Sequence, residues 1–196
     1  MSEKAKENKM REIFIEKLTL NCGTGGPGDK LEKSLKLLAK LSDMKPVSTK
    51  AGPNTRIPTW GVRPGLELGC RVTVRGKKAA ELLKQLLDAK KKELKESSFD
   101  DHGNFSFGIH EYLDIPGIEY DPEIGITGLE LAVTLQRKGF RIKRRASHKK
   151  SVPKAHKITK ENAISFMKTK YGVKTIWLQK VTLKCLNNLK QNPLSC

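Results

Sequence analysis

The ten residues Leu66-Glu67-Leu68-Gly69-Cys70-Arg71-Val72-Thr73-Val74-Arg75 alternate strictly between two chemistries. Successive side chains of an extended chain point to opposite faces, so Leu66, Leu68, Cys70, Val72 and Val74 share one side, while Arg71, Thr73 and Arg75 share the other. The first side belongs in a core, and the second is polar and cationic. A strand patterned this way sits in a sheet covered on one face only, which is the habit of antiparallel sheets.

Reading outward from that strand, residues 11–20 are rich in β-branched, aromatic and aliphatic side chains and predict a second strand ending at Asn21. Plain alternation turns Ile13 and Ile15 one way and Phe14, Leu18 and Leu20 the other. A glycine-rich turn, Gly23 to Gly28, leads into a predicted helix. There Asp29 reads as the N-cap, Glu32 completes a capping box, and Leu31, Leu35, Leu38 and Leu41 form the apolar stripe. Residues 47–50 are a short extended piece. Residues 77–95 predict a second helix with Leu82, Leu83, Leu86 and Leu87 inward and a lysine-rich end suited to the negative pole of the helix dipole. Strands are predicted at 105–110 and 129–137, separated by a turn-rich excursion. A last short helix runs from Thr159 or Lys160 to Tyr171, and the pattern is ambiguous beyond Val173. The sum is an α+β fold: a mainly antiparallel sheet, helices packed on one face, and the other face open.

Composition points to the partner. The 196 residues hold 39 lysines and arginines against 21 acids, a net charge of +18. A chain this basic repels itself, and its usual counter-charge is a polyanion. No apolar run reaches the roughly 18 to 20 residues that span a bilayer, and the polar N-terminus has no apolar segment behind it, so no membrane partner is expected. Cys22, Cys70, Cys185 and Cys196 are widely spaced, which predicts neither a zinc site nor a disulfide framework. No metal or other cofactor is expected.

The cations are concentrated. Residues 44–66 contain no acid and carry Lys45, Lys50, Arg56 and Arg63; residues 137–160 carry eleven lysines and arginines and again no acid. A merely solvated surface interleaves acids, so two acid-free stretches beside the Arg71, Thr73 and Arg75 face fit recognition of a phosphate backbone. Trp60 sits among these cations in a proline- and glycine-flanked loop. It either folds back onto the body or stays exposed to stack on a base or sugar. The glycine-rich turn is not a phosphate-binding loop, because it leads into Asp29-Lys30-Leu31 rather than a Lys-Ser or Lys-Thr pair. Asp100, Asp101, Glu111 and Asp114 have nothing to fix them as an acid–base pair. His102, His110, His148 and His156 have neither metal spacing nor a nucleophile partner, and those in the basic segments are expected at an RNA surface.

Several long motifs then carry a resemblance. Met10-Arg-Glu-Ile-Phe-Ile-Glu-Lys-Leu-Thr-Leu-Asn21, Gly25-Gly-Pro-Gly-Asp-Lys-Leu31, Arg56-Ile-Pro-Thr-Trp-Gly-Val-Arg-Pro-Gly65, Val72-Thr-Val-Arg-Gly76, Gly103-Asn-Phe-Ser-Phe-Gly-Ile109 and Tyr120-Asp-Pro-Glu-Ile-Gly-Ile126 occur in order. They resemble the universal large-subunit ribosomal protein five family, called eleven in eukaryotes. Asp114-Ile-Pro-Gly-Ile118 and Gly139-Phe-Arg-Ile-Lys-Arg-Arg145 are similar to its archaeal form.

The resemblance implies a cytoplasmic, ribosome-bound, non-enzymatic protein of the central protuberance that holds 5S rRNA and large-subunit rRNA. It further implies contact with P-site tRNA, neighbouring ribosomal proteins and, across a bridge, a small-subunit head protein. Carried over by position, Arg11, Lys17, Asn21, Arg71, Thr73 and Arg75 are rRNA candidates, and the acid-free basic stretches add Lys50, Arg137, Arg141, Lys143, Arg144, Arg145, Lys149 and Lys150. Arg56, Ile57, Pro58, Thr59, Trp60, Gly61 and Arg63 form the tRNA-facing loop. The chain then divides into a flexible N-terminus at 1–9, an RNA-binding domain at 10–173 with a basic loop at 45–65 and a basic segment at 137–160, and a C-terminal extension of unknown role at 174–196. A free RNA chaperone or assembly factor would present the same surfaces.

Overall fold

Strand β1, Ile13–Gly23, lies in the middle of a five-stranded antiparallel sheet. The computed structural model describes residues 8–176. In chain order β1 is followed by helix α1 (Asp29–Ser42), β2 (Val47–Lys50), β3 (Glu67–Val74), α2 (Lys77–Ala89), β4 (Glu93–Lys95), β5 (Phe105–Ile109), β6 (Leu129–Arg137), α3 (Lys160–Tyr171) and β7 (Lys174–Ile176). The main sheet has the order β2-β3-β1-β6-β5. The α+β class with a mainly antiparallel sheet is as expected.

Register explains the two faces. Leu18, Leu20 and Cys22 stand opposite Val74, Val72 and Cys70 of β3. On the other side Leu18 and Leu20 meet Val133 and Leu131 of β6, which in turn meet Phe105 and Phe107 of β5. All of these side chains are buried in one cluster. The same cluster takes Leu31, Leu37 and Leu38 of α1, Leu83, Leu86 and Leu87 of α2, and Ala163 and Met167 of α3. Burial of this kind contributes roughly 1.5–3 kcal/mol per large side chain, so the helices are held by their apolar stripes against one sheet face.

Three local expectations need correction, and one segment left ambiguous is resolved. Simple alternation put Phe14 with Leu18 and Leu20, but β1 carries a bulge: Ile15 pairs with Leu135 and Lys17 with Thr134, leaving Glu16 as the extra residue. The bulge reverses parity, so Ile13 and Ile15 pack against the core with Leu18 and Leu20, while Phe14 faces the open side beside Gln136. Strand β1 also runs two residues past Asn21, and Arg11 lies before it in a 3-10 turn, Lys9–Arg11.

The capping box is the second correction. Gly28, at φ 130, is the N-cap, and Asp29 is the first helical residue, with no side-chain cap bond. Its carboxylate still favours the positive end of the helix dipole. The apolar stripe is rotated toward Leu31, Ser34, Leu37 and Leu38, with Leu35 and Leu41 only half-buried. The buried Ser34 and Ser42 hydroxyls donate to the carbonyls of Lys30 (2.8 Å) and Leu38 (2.7 Å), which removes the cost of enclosing them.

Third, α2 stops at Ala89, because Lys91 and Lys92 adopt φ values of 55° and 57° and turn the chain. Leu94 keeps a helical spacing from Leu87 but is buried instead in β4. Finally, Lys174–Ile176 forms β7 and pairs in parallel with β4, so the ordered fold continues past Val173. Most of the 1–9 and 174–196 segments falls outside the described residues.

Gly103, at φ +78, packs so closely that an added Cβ would lie 2.5 Å from Ile158 Cγ2. Gly103→Ala therefore combines left-handed strain with a core clash and is expected to cost roughly 2–3 kcal/mol. Urea unfolding of the two proteins checks this, and a loss below about 0.5 kcal/mol would contradict the packing.

Candidate nucleic-acid interface

The sheet face away from the helices is built from short side chains. Thr19 of β1 stands between Thr73 of β3 and Ala132 of β6, and Ala132 stands beside Ser106 of β5. Thr19, Ser106 and Ala132, with Gly108, Asn21 and Glu130, line a shallow trough of about 520 Å³. Small side chains let a polymer backbone come close to the sheet. Arg71 and Arg75 are exposed at its margin, with the partly exposed Lys17. Asn21 donates to Glu130 at 3.3 Å, and Lys50 pairs with Glu67 at 3.4 Å, so each sits beside an acid at the sheet surface.

The basic segment does not trail away as a tail. Phe140 packs against the core from one end, and Val152 and Ile158 are buried at the other, so the chain between them arches back over the end of the sheet. Beneath the arch is a groove of about 790 Å³. Of the rRNA candidates it gathers Lys17 and Arg75 from the sheet and Lys143, Arg144, Lys149 and Lys150 from the arch. Lys157, His102, Asn104 and Thr134 also line it. Lys157 and Asn104 were not among the sequence candidates, because only the fold-back brings them to the site. Seven lysines and arginines with one acid among them, Glu16, form a strongly positive concavity that suits phosphates.

Other candidates have different surroundings. Arg141 and Arg145 line a second depression of about 710 Å³ on the far side of the arch, next to Phe14. Arg145 Nε is occupied by the His148 carbonyl at 2.9 Å. Arg137 has the parity of Leu135, so it sits on the core side of β6. Its guanidinium donates to the carbonyls of His156 (3.4 Å) and Lys157 (3.5 Å), which fastens the end of the arch to the sheet. These two contacts give Arg137 a role in the fold beside its expected place among the rRNA candidates. His156 is half-buried, 2.9 Å from the Lys138 carbonyl and edge-on to Phe140. Arg11 is exposed near the same end, where neighbouring Glu12 pairs with Lys138 at 3.4 Å.

The loop between β2 and β3 is a closed hairpin. Ala51 donates to Leu66 (2.8 Å), Gly65 to Ala51 (3.2 Å), and Ile57 and Val62 exchange bonds of 3.0 and 3.1 Å. Val62 is buried and anchors it. At the tip Pro58–Trp60 forms a 3-10 turn that Gly61 reverses at φ 66. Trp60 is 77% exposed, so it does not fold back. Arg56, Pro58, Thr59, Gly61 and Arg63 are exposed around it, and Ile57 is half-buried.

The glycine-rich turn is structural. The amides of Thr24 and Gly25 both donate to Leu68 O, at 3.0 and 3.1 Å, and so are not directed at a ligand. Cys22 and Cys70 are buried free thiols on paired strands. The neighbouring Cys70 thiol, together with burial, pushes the Cys22 thiol well above its ordinary value, so it stays protonated and donates to the Gly128 carbonyl at 3.5 Å. Cys185 and Cys196 lie outside the described residues. Among the described residues, no three His, Cys, Asp or Glu side chains are grouped to hold a metal, and no helix is long and apolar enough to cross a membrane.

Comparison with known proteins agrees with this geometry. Residues 8–63 match the family model described as ribosomal protein L5, and residues 67–166 match the model of the C-terminus of the same ribosomal family. The large ribosomal subunit protein uL5 of Sulfolobus acidocaldarius is 46% identical over 173 residues, 88% of this chain and 96% of the relative. That of Nanoarchaeum equitans is 48% identical over 171 residues, covering 87% and 99%. That of Methanosphaera stadtmanae is 42% identical over 166 residues, covering 85% and 98%. An open sheet face edged with cations, a basic groove and near-complete alignment with archaeal relatives lead to one conclusion: the chain belongs to the ribosomal protein L5 family, in its archaeal-like form.

Proposed function

We propose that this chain, a structural constituent of the large subunit of the cytoplasmic ribosome and not an enzyme, binds 5S rRNA and large-subunit rRNA in the central protuberance. The observation that carries this reading is the pairing of a trough floored by small side chains with a groove lined by seven cations. The trough admits a sugar–phosphate backbone, and the groove holds the charge that neutralises it. We assign the loop at 45–65 to P-site tRNA. Its support is a preformed hairpin whose tip presents an exposed aromatic ring between two arginines, a combination suited to stacking on a folded RNA corner.

The contact with a small-subunit head protein suits the 111–123 excursion. It carries Glu111, Asp114, Glu119, Asp121 and Glu123 with no lysine or arginine, and offers a basic protein the opposite charge. Asp121 is held below the usual carboxylate range by the Glu123 backbone N–H and by Lys40, so it stays ionised. Lys36 and Lys40 of α1 pair with Glu123 (2.8 Å) and Asp121 (3.3 Å), which fixes the excursion to the helix layer. Neighbouring ribosomal proteins would meet the remaining surfaces.

With about six phosphate contacts, affinity for a 5S rRNA transcript should fall roughly a thousandfold between 50 and 200 mM salt. Filter binding across that range checks it, and a nearly flat dependence would remove the phosphate reading. In cells the protein should remain with large subunits through a high-salt sucrose gradient; recovery only in the free pool would favour a chaperone or assembly factor. For the loop, Trp60→Ala combined with Arg56→Ala should weaken P-site tRNA retention by about tenfold, the loss of one stacked base and one charge. Binding of 5S rRNA by the same variant should change less than about twofold, because the loop is remote from the groove. Equal losses would merge the two surfaces into one.

A further inference from the structure

The groove contains one acid, and its presence needs a reason. Glu16 lines the same wall as Lys17, Arg75, Lys143, Lys149 and Lys150. A carboxylate there repels an approaching phosphate, and repulsion at a few ångströms is appreciable even near a surface. Its side chain is 13% exposed and is engaged by the Arg144 guanidinium. The other arm of that guanidinium donates to Gln136 Oε1 at 2.6 Å.

Stability is a weak explanation for this clasp. Arg144 is 49% exposed, and ion pairs of that kind contribute little to folding. Its position is more informative. Residues 141–151 carry Arg141, Lys143, Arg144, Arg145, Lys149 and Lys150 with no acid, so the arch repels itself and tends to splay. Among the described residues, the hydrogen bonds of 141–151 are otherwise internal to 139–151, such as Lys150 N to Ile142 O at 3.3 Å and Arg144 N to Arg141 O at 2.9 Å. The Arg144 contacts with Glu16 and Gln136 are the hydrogen bonds that tie the middle of the arch to the sheet. The bulge in β1 supplies the acid, since Glu16 is the extra residue between Ile15 and Lys17.

We propose that Glu16 is a positioning residue for RNA binding: by holding Arg144 it pins the basic arch so that its cations face the groove before RNA arrives. The proposal rests on the rRNA-binding reading and adds a residue that repels the ligand yet aids its binding. Pre-organisation of this kind raises affinity by reducing the ordering that binding requires.

The test measures binding of the full chain to an in vitro transcript of archaeal 5S rRNA and to an unrelated RNA duplex of equal length. If Glu16 acts only through its charge, Glu16→Gln tightens both. If it positions the arch, Glu16→Gln weakens 5S rRNA binding by about tenfold and makes the salt dependence shallower by about two phosphate contacts. Binding to the unrelated duplex is then unchanged or tighter. Trypsin should cut the variant faster between Lys143 and Lys150 while the remaining body resists. The exchanged pair Glu16→Arg with Arg144→Glu keeps the net charge and restores most of the 5S rRNA affinity. Equal or tighter 5S rRNA binding by Glu16→Gln, or an exchanged pair no better than the single variant, overturns the proposal. A wild-type chain that preferred neither RNA would defeat the rRNA-binding reading itself, and that failure appears before any variant is made.

Discussion

The pairing of β1 between β3 and β6 is the constraint on which the rest of the molecule depends. Two rows of cross-strand contacts, Leu18 with Val74 and Val133 and Leu20 with Val72 and Leu131, place the apolar residues of three strands on one face. A shift of one residue would turn every one of them to solvent. The bulge at Glu16 keeps the pattern consistent over the whole strand, because without it Ile13 and Ile15 would face away from the core that Leu18 and Leu20 occupy. The same irregularity delivers the acid that holds Arg144. One inserted residue therefore completes the core and shapes the basic groove.

The charge distribution follows a consistent logic. A chain of net charge +18 must hold its cations where a partner needs them without letting mutual repulsion open the fold. The hydrophobic cluster supplies the cohesion, and the cations stay outside it. Where the basic arch leaves the core, buried Val152 and Ile158 anchor one end, Arg137 ties that end to the sheet through two carbonyls, and Phe140 packs at the other. Five of the 21 acids fall in the 111–123 excursion, where Glu123 and Asp121 pair with Lys36 and Lys40 of α1.

The hairpin at 45–65 is a separate device on the same frame. It is closed by backbone bonds and by Val62, so its tip keeps its shape without help from the cluster beneath the sheet. An aromatic ring that is three-quarters exposed has little to gain from the protein itself, and its value lies in what stacks on it.

Periodicity alone determined much of the fold. The alternation at 66–75 and 129–137 and the leucine stripes at 31–41 and 82–87 reflect burial on one side, and burial is the main driving force of folding that a local pattern records. The identity of the family was legible too, in motifs from Met10 to Arg145. Tertiary structure decided what depends on a partner strand or a distant contact. The bulge that moved Phe14 off the core exists only relative to β6, and the end of α2 depends on Leu94 finding β7 far along the chain. The arch was visible in sequence as charge, but charge has no period. Only the anchoring of Phe140, Val152 and Ile158 turned scattered cations into a groove, gave Arg137 its contacts with the end of the arch, and gave Glu16 a place among them.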